Sequence, residues 1–115
     1  MVGLNEIKQY INDRLDKVTT VNGLDFRLTN TLDTNDIFCI VFTVDNDSLI
    51  FGIGNSIDNG VVIIVDKKIK EHTSFIKVNT KQAFVSTLYG LLDRYTKYQD
   101  KVKNNGIEQD IFDWH

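Results

Sequence analysis

The stretch of this sequence best suited to chemistry is an apolar segment that runs directly into an acid and two lysines. The segment is Val61–Val65, and Asp66, Lys67 and Lys68 follow it. Five β-favouring apolar residues in succession predict a buried strand, so the acid and the second lysine would stand together at its end. A carboxylate there could bind a divalent cation, and a lysine could orient an attacking water molecule.

This D-x-K pattern resembles the second half of the PD-(D/E)xK nuclease core, in which two acids hold a metal ion and the lysine activates water. In an antiparallel meander, the turn that contains Asp47 lies at the same end of the sheet as Asp66 and Lys68. Glu6, on a first helix, could add a further acid. The resemblance implies a metal-dependent nuclease. The alternative is a strand that simply ends in solvated charges.

Two other motif-like patterns are incomplete. Gly52 and Gly54 form a G-x-G after a strand, but a phosphate-binding loop needs a helix to follow, and another strand follows here. We therefore expect turn or bulge glycines. Asp45 and Asp47 begin like a calcium loop, but Ile50 stands where that loop requires glycine.

The sulfur and imidazole groups give no sign of a metal centre. Cys39 is the only cysteine, and it lies inside the most apolar stretch of the sequence, where it is predicted to be a small core residue. Neither His72 nor His115 has a second histidine or a cysteine at the spacing of a metal site. We expect no cofactor.

Composition indicates an ordinary folded domain. The chain has 115 residues, of which 42% are hydrophobic and 25% are charged, enough to form one domain with its own core. A single cysteine excludes an internal disulfide. No apolar run reaches ~18 residues, and the first residues lack the pattern of a secretory signal, so we expect a cytoplasmic protein without a membrane span.

The net charge of −3 hides an uneven distribution. Residues 24–66 contain one basic and seven acidic residues, whereas residues 67–103 contain nine basic and three acidic residues. An acidic segment could imitate a phosphate backbone, although solvated surface on both segments is the alternative. Asp93 and Asp100 interrupt the basic residues of the second segment, so nucleic-acid binding is not expected.

A long amphipathic helix is predicted for residues 80–103. Its apolar residues recur at steps of three and four, which keeps them on one side of a helix. They are Phe84, Leu88, Leu91, Tyr95, Tyr98 and Val102. Asn79 could cap the first turn together with Gln82, and residues 104–106, Asn-Asn-Gly, offer a stop.

The rest of the chain predicts a first helix and four or five short strands. The helix stripe is Leu4, Ile7, Ile11, Leu15 and Val18, and the predicted strands are 24–32, 37–44, 49–53, 61–65 and 75–78. Residues 37–44 are apolar on both faces of the strand, which predicts a central strand covered on both sides. The fold class is therefore α+β, a single domain with an N-terminal helix, an antiparallel meander sheet and a long C-terminal helix packed on it.

The C-terminal residues 104–115 form either an extended tail or a segment that folds back onto the domain. They contain Phe112 and the only tryptophan, Trp114, and large aromatic side chains are favoured contact anchors. With the end of the long helix, they give a predicted partner-binding set. The set is Tyr95, Tyr98, Val102, Phe112 and Trp114.

These observations favour a non-enzymatic protein–protein interaction module that binds another protein or a second copy of itself as a homodimer. The absence of proline and the many Asn, Asp, Ile and Lys residues are typical of AT-rich bacterial or phage genomes. Small acidic inhibitors of a host nuclease or defence protein, encoded by phages and mobile elements, fit this description. Immunity proteins fit it too, and so do virion joining proteins, which assemble as homo-oligomers. The metal-dependent nuclease is the enzymatic alternative.

Overall fold

The structure is a computed structural model that describes residues 2–34, 36–57, 60–65, 69 and 74–113. For Ser74 and for residues 99–113 it describes the backbone alone. The elements are α1 (Leu4–Asp13), β1 (Val18–Val21), β2 (Leu24–Asp33), β3 (Ile37–Val44), β4 (Asp47–Asn55), β5 (Val61–Val65), β6 (Ser74–Val78) and α2 (Lys81–Asp113). The predicted α+β architecture is confirmed, with one strand more than expected.

The strands form a single antiparallel sheet in which spatial order follows sequence order, from β1 to β6. Residues that tolerate left-handed backbone make the tight turns. Asn22 and Gly23, with φ of 51° and 83°, join β1 to β2, and Asp45, with φ of 51°, lies between β3 and β4. Asn-Gly favours the two-residue turn whose twist matches a hairpin. These local hairpins produce the predicted meander.

The additional strand is β1, and it replaces the end of the predicted first helix. α1 ends at Asp13, and Val18 is the first residue of β1 rather than part of the helix stripe. All four residues of β1 are β-branched, which disfavours helix and favours strand. They pair with residues 24–27 across the turn at Asn22 and Gly23. The prediction that the helix stripe extends to Val18 is therefore wrong.

Each helix contacts a phenylalanine of the sheet. The ammonium group of Lys8 on α1 stands 5.9 Å from the centre of the Phe38 ring on β3. Tyr95 of α2 packs edge-on against Phe26 of β2, with 5.9 Å between the ring centres. The relative position of Phe26 and Phe38 therefore shows whether the helices share one face of the sheet.

The strand register places both phenylalanines on the same face. Phe26 shares its side of β2 with Leu28, and Leu28 pairs with Phe42 of β3. Phe42 shares its side of β3 with Phe38, because side chains alternate along a strand. Both helices thus cover one face. The prediction that β3 is covered on both sides is wrong for the described part of the chain.

The ends of α2 differ from the predicted ends. Thr80, not Asn79, caps the helix, since its Oγ1 accepts a hydrogen bond from the backbone N–H of Ala83 at 3.0 Å. At the other end, the helical backbone continues through residues 104–106 to Asp113, so the predicted stop is not found, while the possible tail of residues 104–115 stays a prediction. Asn and Gly weaken a helix by up to ~1 kcal/mol each but do not forbid helical backbone.

Candidate interaction surface

Five strands contribute one continuous row of residues to the sheet face that carries neither helix. The ladder pairs place this row in register from β2 to β6, in the order Leu32, Cys39, Gly52, Ile64 and Phe75. Cross-strand partners share a face, and Cys39 points opposite to its buried neighbour Phe38. We call the sheet surface that carries this row the open face.

The middle of the open face is apolar. Its apolar residues, called the apolar patch below, are Leu32, Ile37, Cys39, Val41, Ile50, Val62, Ile64 and Phe75. Three of them are strongly exposed: Leu32 by 59%, Ile50 by 53% and Phe75 by 68%. The other five are half-buried. Contiguous exposed apolar surface with a polar rim is typical of interaction sites in monomeric proteins.

Two glycines of β4 lie beneath the middle of the patch. A Cβ atom on Gly52 would lie 3.3 Å from Cδ1 of Ile64 and 3.6 Å from Cγ2 of Ile37, so these two side chains lean over the Gly52 backbone. The ladder between β3 and β4 continues without a shift through Gly52 and Gly54. The prediction of turn or bulge glycines is therefore wrong, because both lie in regular strand. Isoleucine side chains fill the space above them.

Charged residues lie at the corners of the open face. Arg27 pairs with Thr43 at the end of the sheet near the β3–β4 turn, whereas Lys77 lies on β6 towards the opposite end. Asp25 accepts a hydrogen bond from the Thr20 hydroxyl at 2.6 Å near the β1 edge. Among the described residues, the middle of the open face therefore carries no formal charge.

The structure places the residues of the predicted partner-binding set in different environments. Tyr95 is buried, with 3% exposure, and its hydroxyl donates a hydrogen bond to Oδ2 of Asp47 at 2.9 Å. This burial removes Tyr95 from the surface to which the sequence analysis assigned it. Tyr98 is 40% exposed on α2 and stays a candidate. The side chains of Val102 and Phe112, and the whole of Trp114, lie outside the described residues.

The candidate nuclease residues are only partly described. Asp47 belongs to the helix-covered face, since its ladder partner Val44 is buried, and its carboxylate contacts Tyr95. Asp66 and Lys68 lie outside the described residues. Within the ranges that the structure describes, no three His, Cys, Asp or Glu side chains form a group that could hold a metal ion.

A groove of about 690 Å³ lies between α1 and the first turns of α2. Its walls include Tyr10, Arg14, Lys81 and Val85, and an adjoining hollow adds Glu6 and Asp13. Burial raises the pKa of Tyr10, and the nearby Tyr89 and Asp16 raise it further, while Arg14 lowers it. Arg14 and Lys81 are the charged residues of the groove itself, and the acids Glu6 and Asp13 lie in the adjoining hollow.

Sequence reasoning missed the open face, although a signal for it was present. β3 is apolar on both of its sides, and Cys39 was expected in the core, whereas the structure places it half-buried on the open face. The two apolar sides of β3 were interpreted as a strand covered on both faces. Two helices on the same side of a sheet cover only one of its faces.

No described helix is both long enough and apolar enough to cross a membrane. Comparison of the chain with protein-family models, with curated proteins and with solved structures gives no match. The open face is therefore a candidate interaction surface on its geometry alone.

Proposed function

We propose that this protein is a non-enzymatic protein-binding module whose working surface is the apolar patch of the open face. One observation carries the proposal: a row of residues in register across five strands leaves Leu32 and Phe75 more than half exposed. Complete burial of an aliphatic or aromatic side chain contributes about 1.5–3 kcal/mol. A partner that covers the patch would gain part of this free energy.

The residue types on the open face support a binding role. An antiparallel sheet with one solvated face normally alternates apolar and polar side chains. In β5, the residues on the open face are Val62 and Ile64, which are as apolar as the core residue Ile63 between them. Solvent alone does not favour such residues, whereas a protein surface that packs on them does.

The placement of acids gives less support to the more specific idea of an inhibitor that imitates a phosphate backbone. Asp25 lies on the open face, whereas Asp33 forms a 2.7 Å ion pair with Lys8 of α1. Asp47 bonds to Tyr95 beneath α2. These three described acids of segment 24–66 are thus divided between the two faces and do not lie along one surface.

The proposal can be tested with a photo-crosslinking amino acid placed on each side of the sheet. We would introduce it at Phe75 or Ile50 on the open face and, as a matched control, at the exposed Gln82 on α2. Cells that produce the protein would be irradiated, and the covalent products would be identified by mass spectrometry. We expect strong adducts with one protein from both open-face positions and weak adducts from Gln82.

The contrary result would be equal labelling from all three positions, or adducts from Gln82 alone. Either outcome would remove the open face as the working surface. A partner found through the region of Tyr98 instead would restore the helix-based site predicted from sequence.

A further inference from the structure

We infer that the partner of the apolar patch is the same patch of a second copy, so that two sheets pack face to face with the helices outside. This inference rests on the proposed function and names its partner. In a dimer with twofold symmetry, one surface must complement itself. An uncharged apolar middle does so without bringing like charges together. Arg27 and Lys77, at opposite ends of the face, leave that middle free.

The size of the face matches a dimer of modest affinity. The five strands lie ~4.8 Å apart, and the eight residues of β3 and the five of β5 rise ~3.3 Å each. The open face therefore covers roughly 500 Å² in each copy. Two copies would bury about 1,000 Å² in total, which is near the lower end of specific interfaces. We therefore expect association in the micromolar range rather than an obligate dimer.

The shape of the patch suits sheet-on-sheet packing. Stacked sheets lie about 10 Å apart, with side chains from the two inner faces interdigitating. Cys39 and Gly52 are small neighbours in the central strands, whereas Leu32 and Phe75 are large and lie towards the sides of the same row. Ile37 and Ile64 fill the space over Gly52, so a second copy would pack on a filled apolar middle, with Leu32 and Phe75 towards its sides.

Cys39 provides a reporter within the native chain. It is the only cysteine, it is half-buried on β3, and it lies within the central row of the patch. Any arrangement that packs two open faces on each other covers this thiol. Its alkylation rate therefore measures how much of the face is covered, without any substitution.

The first measurement is the mass and the thiol reactivity of the full-length protein at concentrations from about 1 to 100 µM. Sedimentation should show a shift from one to two copies, and the rate constant for reaction of Cys39 with N-ethylmaleimide should fall over the same range. A mass of one copy and an unchanged rate constant throughout would overturn the inference.

The second measurement compares Phe75→Glu with the matched variant Tyr98→Glu on α2. We expect Phe75→Glu to weaken self-association about tenfold or more, because a charge would be buried in the apolar interface. Tyr98→Glu should leave it within about twofold, because Tyr98 lies in the helix layer. Disruption by Tyr98→Glu alone would assign the dimer to α2 and contradict the inference.

Unfolding in urea shows whether each variant is folded, and the thiol measurement on the unsubstituted protein does not depend on either variant. The two proposals can fail separately. A monomer whose Phe75 crosslinks to a different protein in cells would refute self-association but keep the binding function. A monomer with no open-face adduct would refute both.

Discussion

Along β3, the side chains that point towards the helices and those that point away from them are of similar chemical kind, yet the fold covers only the first group. The core-facing residues are at most 2% exposed. The residues between them are half-buried, and all of them except Thr43 are apolar. The core-facing set is Phe38, Ile40, Phe42 and Val44, and the set on the open face is Ile37, Cys39, Val41 and Thr43. A strand that is apolar on both faces thus favours cover on both, and the helices of this chain cover one of them.

The comparison also separates stability from association. The side chains beneath the helices form the core of the single chain, so truncating them should destabilise the monomer. Residues of the apolar patch lie outside that core, so their loss should leave the monomer folded and weaken binding. The four predictions below test this division, beginning with the largest expected effect.

Neighbouring residues of β4 give the sharpest contrast. Phe51 is fully buried and Ile50 is 53% exposed on the other face. Phe51→Ala should lower the free energy of unfolding by about 3–5 kcal/mol, because it leaves a cavity in the core. Ile50→Ala should lower it by less than about 1 kcal/mol. Urea unfolding of dilute protein checks both values, and similar losses would show that the open face also belongs to the core.

Gly60 and Gly54 differ in how strongly the backbone around them requires glycine. Gly60 has φ of +82°, and a Cβ there would lie 2.7 Å from the backbone oxygen of Val78, so Gly60→Ala should lower stability by about 2 kcal/mol or more. Gly54 lies on the open face, and a Cβ there would be 3.5 Å from the backbone oxygen of Asp36, which is an ordinary contact. Gly54→Ala should raise stability by about 0.5 kcal/mol. Thermal unfolding distinguishes them, and a tolerated Gly60→Ala would contradict the expected clash.

The tyrosines of α2 test which of its aromatic residues belong to the domain. Tyr95→Phe removes the hydroxyl that bonds to Asp47 at 2.9 Å, and it should lower stability by about 1–2 kcal/mol. Tyr98→Phe, at an exposed site, should change stability by less than about 0.5 kcal/mol. Urea midpoints of the two variants provide the measurement. Equal midpoints would mean that this partly buried hydrogen bond contributes little.

The smallest expected effect is a pH dependence at the junction of α2 with the β1–β2 turn. Hydrogen bonds from Lys97, at 3.0 Å, and Asn22, at 2.7 Å, lower the pKa of Asp93 below its ordinary value of 3.8. The stabilisation from this carboxylate is therefore fully present above pH 3.8 and is lost as the pH falls through the lower pKa of the folded state. Stability measured from neutral pH downwards should decline more in the native protein than in Asp93→Asn. Parallel curves would contradict this.

Local patterns predicted most of the fold. Residues 37–44 and 61–65 match β3 and β5, because strand preferences act over a few residues. β1 was missed because Leu15 and Val18 extend the helical spacing of α1 by chance. Thr80 was missed as the cap because its neighbour Asn79 belongs to a residue type that caps helices more often than threonine.

The candidate surface was not predictable in the same way. The stripe containing Tyr95 and Tyr98 has a single helical spacing, which does not show where burial ends along α2. Likewise, a β3 that is apolar on both faces does not show on which side α1 and α2 will lie. That choice depends on contacts between distant parts of the chain, such as Tyr95 with Phe26 and Lys8 with Phe38.

The strand order has a consequence for how the protein is made. Because every ladder joins consecutive strands, each hairpin can close as soon as its second strand has been synthesised, with little loop entropy to overcome. Phe84 and Leu88, by which α2 covers the sheet, leave the ribosome after all six strands. Until then, α1 is the only described helix that can shield the core-facing side, and the nascent chain presents apolar surface on both sides of the sheet. We therefore expect the interval before α2 docks to be the stage of synthesis most prone to aggregation.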